Sequence, residues 1–145
     1  GVEKAGKKAD RTDWRVARTI FVADDDKIAK RYAREDANSP YRFYYFNMMR
    51  KFAYAKRMYV FKESEQQAES DITEDYVLDR LVTWGSVNKV VDEILKFREE
   101  TGDFGELVYA GMDWVDPTLA KRSMQLLAEE VMPRVNAAIG KSAAA

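Results

Sequence analysis

Hydrophobic and polar positions alternate from Trp14 to Ala23: Val16, Arg18, Ile20 and Val22 fall on one side, Ala17, Thr19, Phe21 and Ala23 on the other. With so many β-branched residues, this period of two predicts a strand. Asp24, Asp25 and Asp26 follow, and then Ile28, Ala29, Tyr32 and Ala33 recur at helical spacing. The pattern predicts an Asp-capped helix with acids in its first turn. A calcium loop would need alternating ligands, a glycine and a distant Glu, and none follows these aspartates.

Pro40 introduces the stretch Tyr41 to Lys62, in which Tyr41, Tyr44, Tyr45, Met48, Met49, Phe52 and Tyr59 mark one helical face while Phe43, Phe46, Tyr54, Met58 and Phe61 fall off it. A helix apolar on nearly every side has to be covered on nearly every side, by a core, a partner or a ligand cavity. Residues 63–75 reverse the charge, with six acids and no base, and read as a mobile loop or linker. Asp71 or Thr73 then caps a short helix through Val82, and Ser86 can cap the next one, which carries Val87, Val90, Val91, Ile94, Leu95 and Arg98 on one face and stops at Gly102. Glu106 to Ala110 is a second short strand. Asp116 and Pro117 open the last helix, striped by Ala120, Met124, Leu127, Val131 and Val135, with a kink or restart expected at Pro133.

Both strands feed helices at their C-terminal ends, so the fold class is α/β, and Arg15–Ala23 is expected to pair in parallel with Glu106–Ala110. Two parallel strands cannot bury both faces of a sheet. Either a further strand is hidden, around Leu81 to Trp84, or the chain is a piece of a larger α/β protein.

The 145 residues carry a net charge of −1, which gives no global positive field for nucleic acid or anionic lipid. With neither histidine nor cysteine, the chain lacks Ser-His-Asp and Cys-His machinery, disulfides and thiolate metal sites, so proton transfer has to use carboxylate, Lys, Tyr, water or a cofactor. No apolar run has the length of a membrane span and the N-terminal residues form no signal peptide, which together with the missing cysteines points to the cytoplasm. No metal site is expected. The triplet Asp103-Phe104-Gly105 matches a kinase metal-binding motif only in letters, since no glycine-rich loop or histidine-containing catalytic loop accompanies it. The segment 41–62 carries six bases and no acid among its aromatics. It can be a lid over an anionic aromatic cofactor, a single-stranded nucleic-acid surface, an interfacial membrane helix, or a buried helix whose Lys and Arg stems reach solvent.

The closing segment "GELVYAGMDWVDPTLAKRSMQLLAEEVMPRVN" resembles the C-terminal end of the luciferase-like flavin-dependent monooxygenases, the bacterial luciferase superfamily, and especially its limonene-monooxygenase-like branch. Upstream, "DWRVARTIFVADDDKIAKRYA" is similar to the family's penultimate strand, and "WGSVNKVVDEILKFREETGDFGEL" to its Gly-[Ser/Thr]-Pro-x-x-Val helix, with Val87 in place of the proline. The resemblance runs from Trp14 to Asn136. It implies the C-terminal part of a (β/α)₈ TIM barrel with a helical lid insertion, predominantly helical in this portion. Residues 14–37 would be strand plus helix, 38–72 the lid-like insertion, 73–104 helices, and 105–139 the last strand and C-terminal helix.

The resemblance also implies a chemistry. Such enzymes use reduced FMN, supplied by a flavin reductase, and O₂ to oxidise a small apolar organic substrate, and the protein excludes water while the cofactor carries the oxygen chemistry. The stretches that hold most of the flavin would lie outside this chain, so this portion is expected to be inactive alone. Met112, Asp113 and Trp114 would line the barrel mouth, unless Asp113 and Trp114 only fix the turn. Arg50, Lys51, Lys56 and Arg57 are the candidate lid cations for the flavin, and no catalytic residue is assigned. The expected assembly is a homo-oligomer with no nucleic-acid or membrane partner. An F420-dependent oxidoreductase of the same superfamily, or a non-enzymatic helical interaction module, are the alternatives.

Overall fold

A computed structural model describes residues 3–8, 10–112 and 115–143. Its centre is a three-stranded parallel sheet in the order β2-β1-β3, formed by β1 (Arg15–Ala23), β2 (Val82–Ser86) and β3 (Glu106–Ala110). The expected parallel pairing of the first and last strands is present, in the register Arg15 with Glu106 through Thr19 with Ala110. On its other edge β1 pairs with β2, from Thr19 with Val82 to Ala23 with Ser86. The hidden strand therefore exists, and it interrupts what the sequence presented as a run of helices from 73 to 104.

The helices are α1 (Asp26–Lys30, extended by a wider π turn over Arg31–Glu35), α2 (Pro40–Tyr54), α3 (Glu74–Leu81), α4 (Val87–Thr101), α5 (Pro117–Leu126) and α6 (Met132–Ala143). Most begin where their sequences say they should. Asp25 Oδ1 accepts the Ile28 N–H at 2.7 Å, Thr73 Oγ1 that of Tyr76 at 3.1 Å, and Asp116 Oδ1 those of Thr118 and Leu119 at 3.0 Å each. Ser86 holds the N-cap position of α4, but its side chain makes no cap bond. Its own N–H instead donates to Asp26 Oδ1 at 2.6 Å, tying the end of β2 to the start of α1. The restart at Pro133 takes the form of a π turn over Leu127–Val131, which absorbs the N–H that proline cannot supply.

The aromatic stretch 41–62 is not one helix. α2 ends at Tyr54, Lys56 takes φ +54°, and a 3₁₀ turn over Met58–Phe61 follows. The reversal is a helix C-cap in which Arg57 N–H donates to Phe52 O and Lys56 N–H to Ala53 O, with Lys56 where glycine is usual. The acidic stretch after it is a loop with a 3₁₀ turn at Glu69–Asp71, moored by the buried Ile72 and by Gln67, whose Oε1 accepts from Glu63 N–H at 2.8 Å and from the Tyr76 hydroxyl at 3.2 Å.

Both faces of β1 are covered in its C-terminal half, where Thr19 to Ala23 are buried, while Arg15 to Arg18 are exposed or half-buried. On one face Ile20 and Val22 pack with Val90, Ile94, Leu126, Val131 and Val135 from α4, α5, the π turn after it and α6. On the other, Phe21 and Ala23 meet Tyr32, Tyr41, Tyr45, Val77 and Leu78 from α1, α2 and α3. β3 stops opposite Thr19, so the next stretch of that edge of β1 lacks a strand, and there Ser123 of α5 accepts the Val22 N–H at 2.8 Å. Gly105 lets β3 enter beside the N-terminal segment, since a Cβ there would lie 1.6 Å from the Thr12 carbonyl oxygen.

Candidate functional site

β3 runs out at Ala110 and the chain passes through Gly111 and Met112 towards the Asp116 cap of α5. Facing it is the start of α2. Its entry is fixed by Asp36, whose carboxylate accepts the Asn38 N–H at 2.8 Å, and by the buried Ser39, whose hydroxyl donates to Ala33 O at 3.1 Å and accepts from Arg42 N–H at 3.3 Å. Between the two elements lies a cavity of about 650 Å³. Ala37, Asn38, Pro40, Phe43 and Tyr44 line it from the α2 side, and Gly111, Met112 and Val115 from the β3 side. Its walls are mostly apolar and it opens at the C-terminal end of a parallel sheet. Ligands collect there in α/β folds because loops, not packing, shape that edge.

Beneath it sits a cluster of aromatics. The Phe21 and Tyr32 ring centroids are 4.7 Å apart, Phe21 and Tyr41 5.8 Å, and Tyr32 and Tyr41 6.2 Å in an edge-on arrangement. Burial raises the Tyr32, Tyr41 and Tyr45 hydroxyls above the usual phenol range, most strongly at Tyr41, so all three stay protonated at neutral pH. Two of them have fixed partners: Tyr45 shares a 2.8 Å hydrogen bond with Thr19, and the Tyr32 hydroxyl accepts the Asp116 N–H at 3.2 Å. The second bond ties α1 to the loop that closes the cavity.

The three aspartates after β1 lie at the same end of the sheet and each has a structural task. Asp24 accepts Arg122 Nη2 at 2.6 Å, which holds its carboxyl below the usual range; Asp25 caps α1; Asp26, lowered chiefly by the Ser86 N–H, holds β2. Among the described residues no group of three acidic side chains gathers as a metal site would require.

Of the residues singled out at the barrel mouth, Met112 lines the cavity, whereas Asp113 and Trp114 lie outside the described residues. The four lid cations are not at the cavity. Arg50 and Lys51 occupy the C-terminal turns of α2, about 10 Å along the axis from Phe43 at 1.5 Å per residue, and Lys56 and Arg57 form the cap beyond. All four are exposed, and the Arg50 guanidinium sits 5.9 Å from the Phe46 ring centroid. Sequence reasoning did not single out Asn38, Phe43, Tyr44 or Val115 as site residues. The Ser39-Pro40 helix start was a local signal for where α2 begins, but nothing local shows that this start faces the end of β3.

No family model matches the chain. Three protein comparisons are informative. The chain is 33% identical over 141 residues to 4-hydroxyprotoasukamycin monooxygenase of Streptomyces nodosus subsp. asukaensis, covering 92% of this chain and 33% of that protein. It is 26% identical over 136 residues to limonene 1,2-monooxygenase of Rhodococcus erythropolis, covering 93% and 32%. A solved structure, the oxygenating constituent of 3,6-diketocamphane monooxygenase from Pseudomonas putida, a type II Baeyer-Villiger monooxygenase in complex with FMN, superposes with a TM-score of 0.73 at 27% identity over 92% of this chain and 36% of that one. The chain thus spans about a third of the length of these relatives. The resemblance carried by the closing Gly-Met-Asp-Trp segment and its upstream strand and helix is therefore borne out: over nearly its whole length the chain is similar to about a third of such flavin-dependent monooxygenases.

Proposed function

We propose that the chain is the C-terminal part of a (β/α)₈-barrel monooxygenase in which reduced FMN and O₂ oxidise a small apolar organic substrate, the reduced flavin coming from a separate reductase. The observation that carries this reading is the apolar cavity at the C-terminal end of β3, the edge of a β/α barrel where active sites form. The parallel β1–β3 pair supports it, because consecutive barrel strands are parallel neighbours, and β2 then belongs to the long connection between them. FMN, which a structural relative holds, suits this protein as a cofactor on the donor set alone: without histidine or cysteine the chain's own side chains offer little redox or nucleophilic chemistry. When bound, the flavin would supply the oxygen activation.

The chain's residues do the rest. Phe43, Tyr44, Met112 and Val115 form walls that hold an apolar molecule and keep water out. Tyr32 steadies the loop after β3 through its bond to Asp116. Arg50, Lys51, Lys56 and Arg57 are lid cations that approach the anionic flavin when α2 and its cap close over the site, and in the arrangement described they point to solvent. The complete enzyme is a cytoplasmic homo-oligomer. In the natural protein carrying this chain, alanine at the four cations is expected to weaken FMN binding and to divert flavin oxidation into hydrogen peroxide, measured against product by oxygen uptake. Unchanged coupling and FMN affinity would leave them as solvated charges, and no FMN binding by the unaltered protein would overturn the whole reading.

A further inference from the structure

α2 is apolar on two sides. Tyr41, Tyr45 and Met48 turn inward, into the layer that Phe21 shares with Val77 and Leu78 of α3. At 3.6 residues per turn, Phe43, Phe46, Arg50 and Tyr54 gather on the opposite side, and all four are exposed. The polar residue among them, Asn47, has its amide bonded to Phe43 O at 2.8 Å. Beyond the helix, Tyr59 and Val60 of the 3₁₀ turn are exposed as well. Of the large apolar side chains exposed among the described residues, more than half lie between Phe43 and Val60.

The charge of this stretch is equally one-sided. Arg50, Lys51, Lys56, Arg57 and Lys62 hold no carboxylate among the described residues, whereas Arg15, Arg34, Arg80, Arg98 and Arg122 each pair with one. Arg42, the sixth base, is turned to α3, where it pairs with Glu74 and Asp75. The acidic loop is drawn the same way, through Glu63 to Arg80 and Gln67 to Tyr76. Glu65, beside Tyr59 at a shallow surface pocket, and Glu69 and Asp71 further on remain exposed, so the positive field is strongest along α2 and its cap and fades towards the loop. The net charge of −1 averages over this separation.

We infer that the outer face of α2 and its cap docks on an anionic lipid surface, with the rings of Phe43, Phe46, Tyr54 and Tyr59 in the headgroup layer and the unpaired bases over lipid phosphates. No described helix is long and apolar enough to cross a membrane, so the contact stays at the surface. Rings interleaved with long cations suit that boundary, where apolar bodies are buried and charged ends stay in water. Each cation near an anionic bilayer strengthens binding about fivefold. An acidic protein would match the charges too, but a bilayer also dissolves apolar molecules, and Phe43 at the head of this face lines the apolar cavity. Docking would set the cavity beside a reservoir of such molecules. The inference does not rest on the flavin reading.

The test uses the natural protein carrying this chain and vesicles of phosphatidylcholine, alone or mixed with phosphatidylglycerol, with binding read by co-flotation. Flotation is expected with the mixed vesicles, about tenfold or more weaker with phosphatidylcholine alone, and weaker again as salt rises. Phe46→Gln and Tyr54→Gln place a good helix former at exposed positions outside the cavity wall. Each should lower vesicle affinity about three- to tenfold, with the thermal midpoint and, in the absence of vesicles, FMN affinity close to those of the unaltered protein. No flotation with either vesicle, equal binding to both, or unchanged affinity in the two variants would overturn the inference. Self-association abolished by the same variants, in a protein that ignores vesicles, would overturn it as well and give the face to a second copy. Flotation by a protein that binds no FMN would leave the docking surface standing and remove the flavin reading instead.

Discussion

The two faces of the sheet are built from different chemistry although they share one strand. Ile20 and Val22 look into an aliphatic layer, with Val90, Ile94, Leu126, Val131 and Val135, where the buried Ser123 hydroxyl accepts the Val22 N–H. One residue along, Phe21 and Ala23 look into a layer of tyrosines whose hydroxyls tie helix to strand and helix to loop. The aliphatic layer resembles any packed interior. The aromatic layer is buried at its base but opens at the end of β3, and continues along α2 into side chains that the described residues leave largely exposed: Phe43 is 70% exposed and Tyr54 94%. Burial on one face stabilises the fold, and partial burial on the other leaves apolar surface available to a ligand or to the rest of a larger protein.

Substitutions on the two faces should therefore separate stability from binding. Ile20→Ala removes a fully buried side chain at the centre of the aliphatic layer and is expected to cost about 2–5 kcal/mol by chemical denaturation. Phe43→Ala, a larger deletion, should stay within about 0.5 kcal/mol because so little of the ring is packed, and should instead weaken binding of an apolar ligand. A similar cost at both positions would mean that α2 is covered in solution, and the contrast between the faces would fail.

A gain is expected where α2 turns back. Lys56 holds a left-handed backbone conformation that costs a residue with a side chain about 1 kcal/mol, so Lys56→Gly should raise the midpoint of thermal unfolding modestly. Because Lys56 is also a candidate lid cation, loss of FMN affinity in the same variant of the natural protein would separate its charge from its strain.

The smallest effect concerns acid. The Ser86 N–H bonded to Asp26 and the Arg122 guanidinium beside Asp24 lower both carboxyls below the ordinary aspartate value of 3.8. A carboxyl lowered in the folded state contributes stability above that value and loses it as pH falls through the folded one. Unfolding midpoints followed below about pH 4 should therefore fall, and Asp26→Asn should flatten part of the decline. An unaltered slope in that variant would mean that the bond between β2 and α1 does not form.

How far these features were legible varies with their range. The caps at Asp25, Thr73 and Asp116 depend on a side chain and the N–H groups two or three residues on, so spacing alone revealed them. Val82–Ser86 was harder: five residues between two helices, with a glycine inside, carry too short a pattern to show more than a suspicion of a strand. The stretch 41–62 misled because its apolar residues continue beyond Tyr54, whereas the helix ends on a backbone conformation at Lys56 that no glycine announces.

By itself the sequence determined the local elements, the parallel β/α order and the resemblance to flavin-dependent monooxygenases, because periodicity, capping and a near-continuous motif are all properties of neighbours along the chain. The tertiary structure decided which strand is central, which face of β1 meets tyrosines, and that Asn38, Tyr44 and Met112 share a cavity while the α2 cations stand apart from it. The reason is one of distance along the chain. Asn38 and Met112 are more than seventy positions apart, and only the packing of α2 across the end of β3 brings them to one wall.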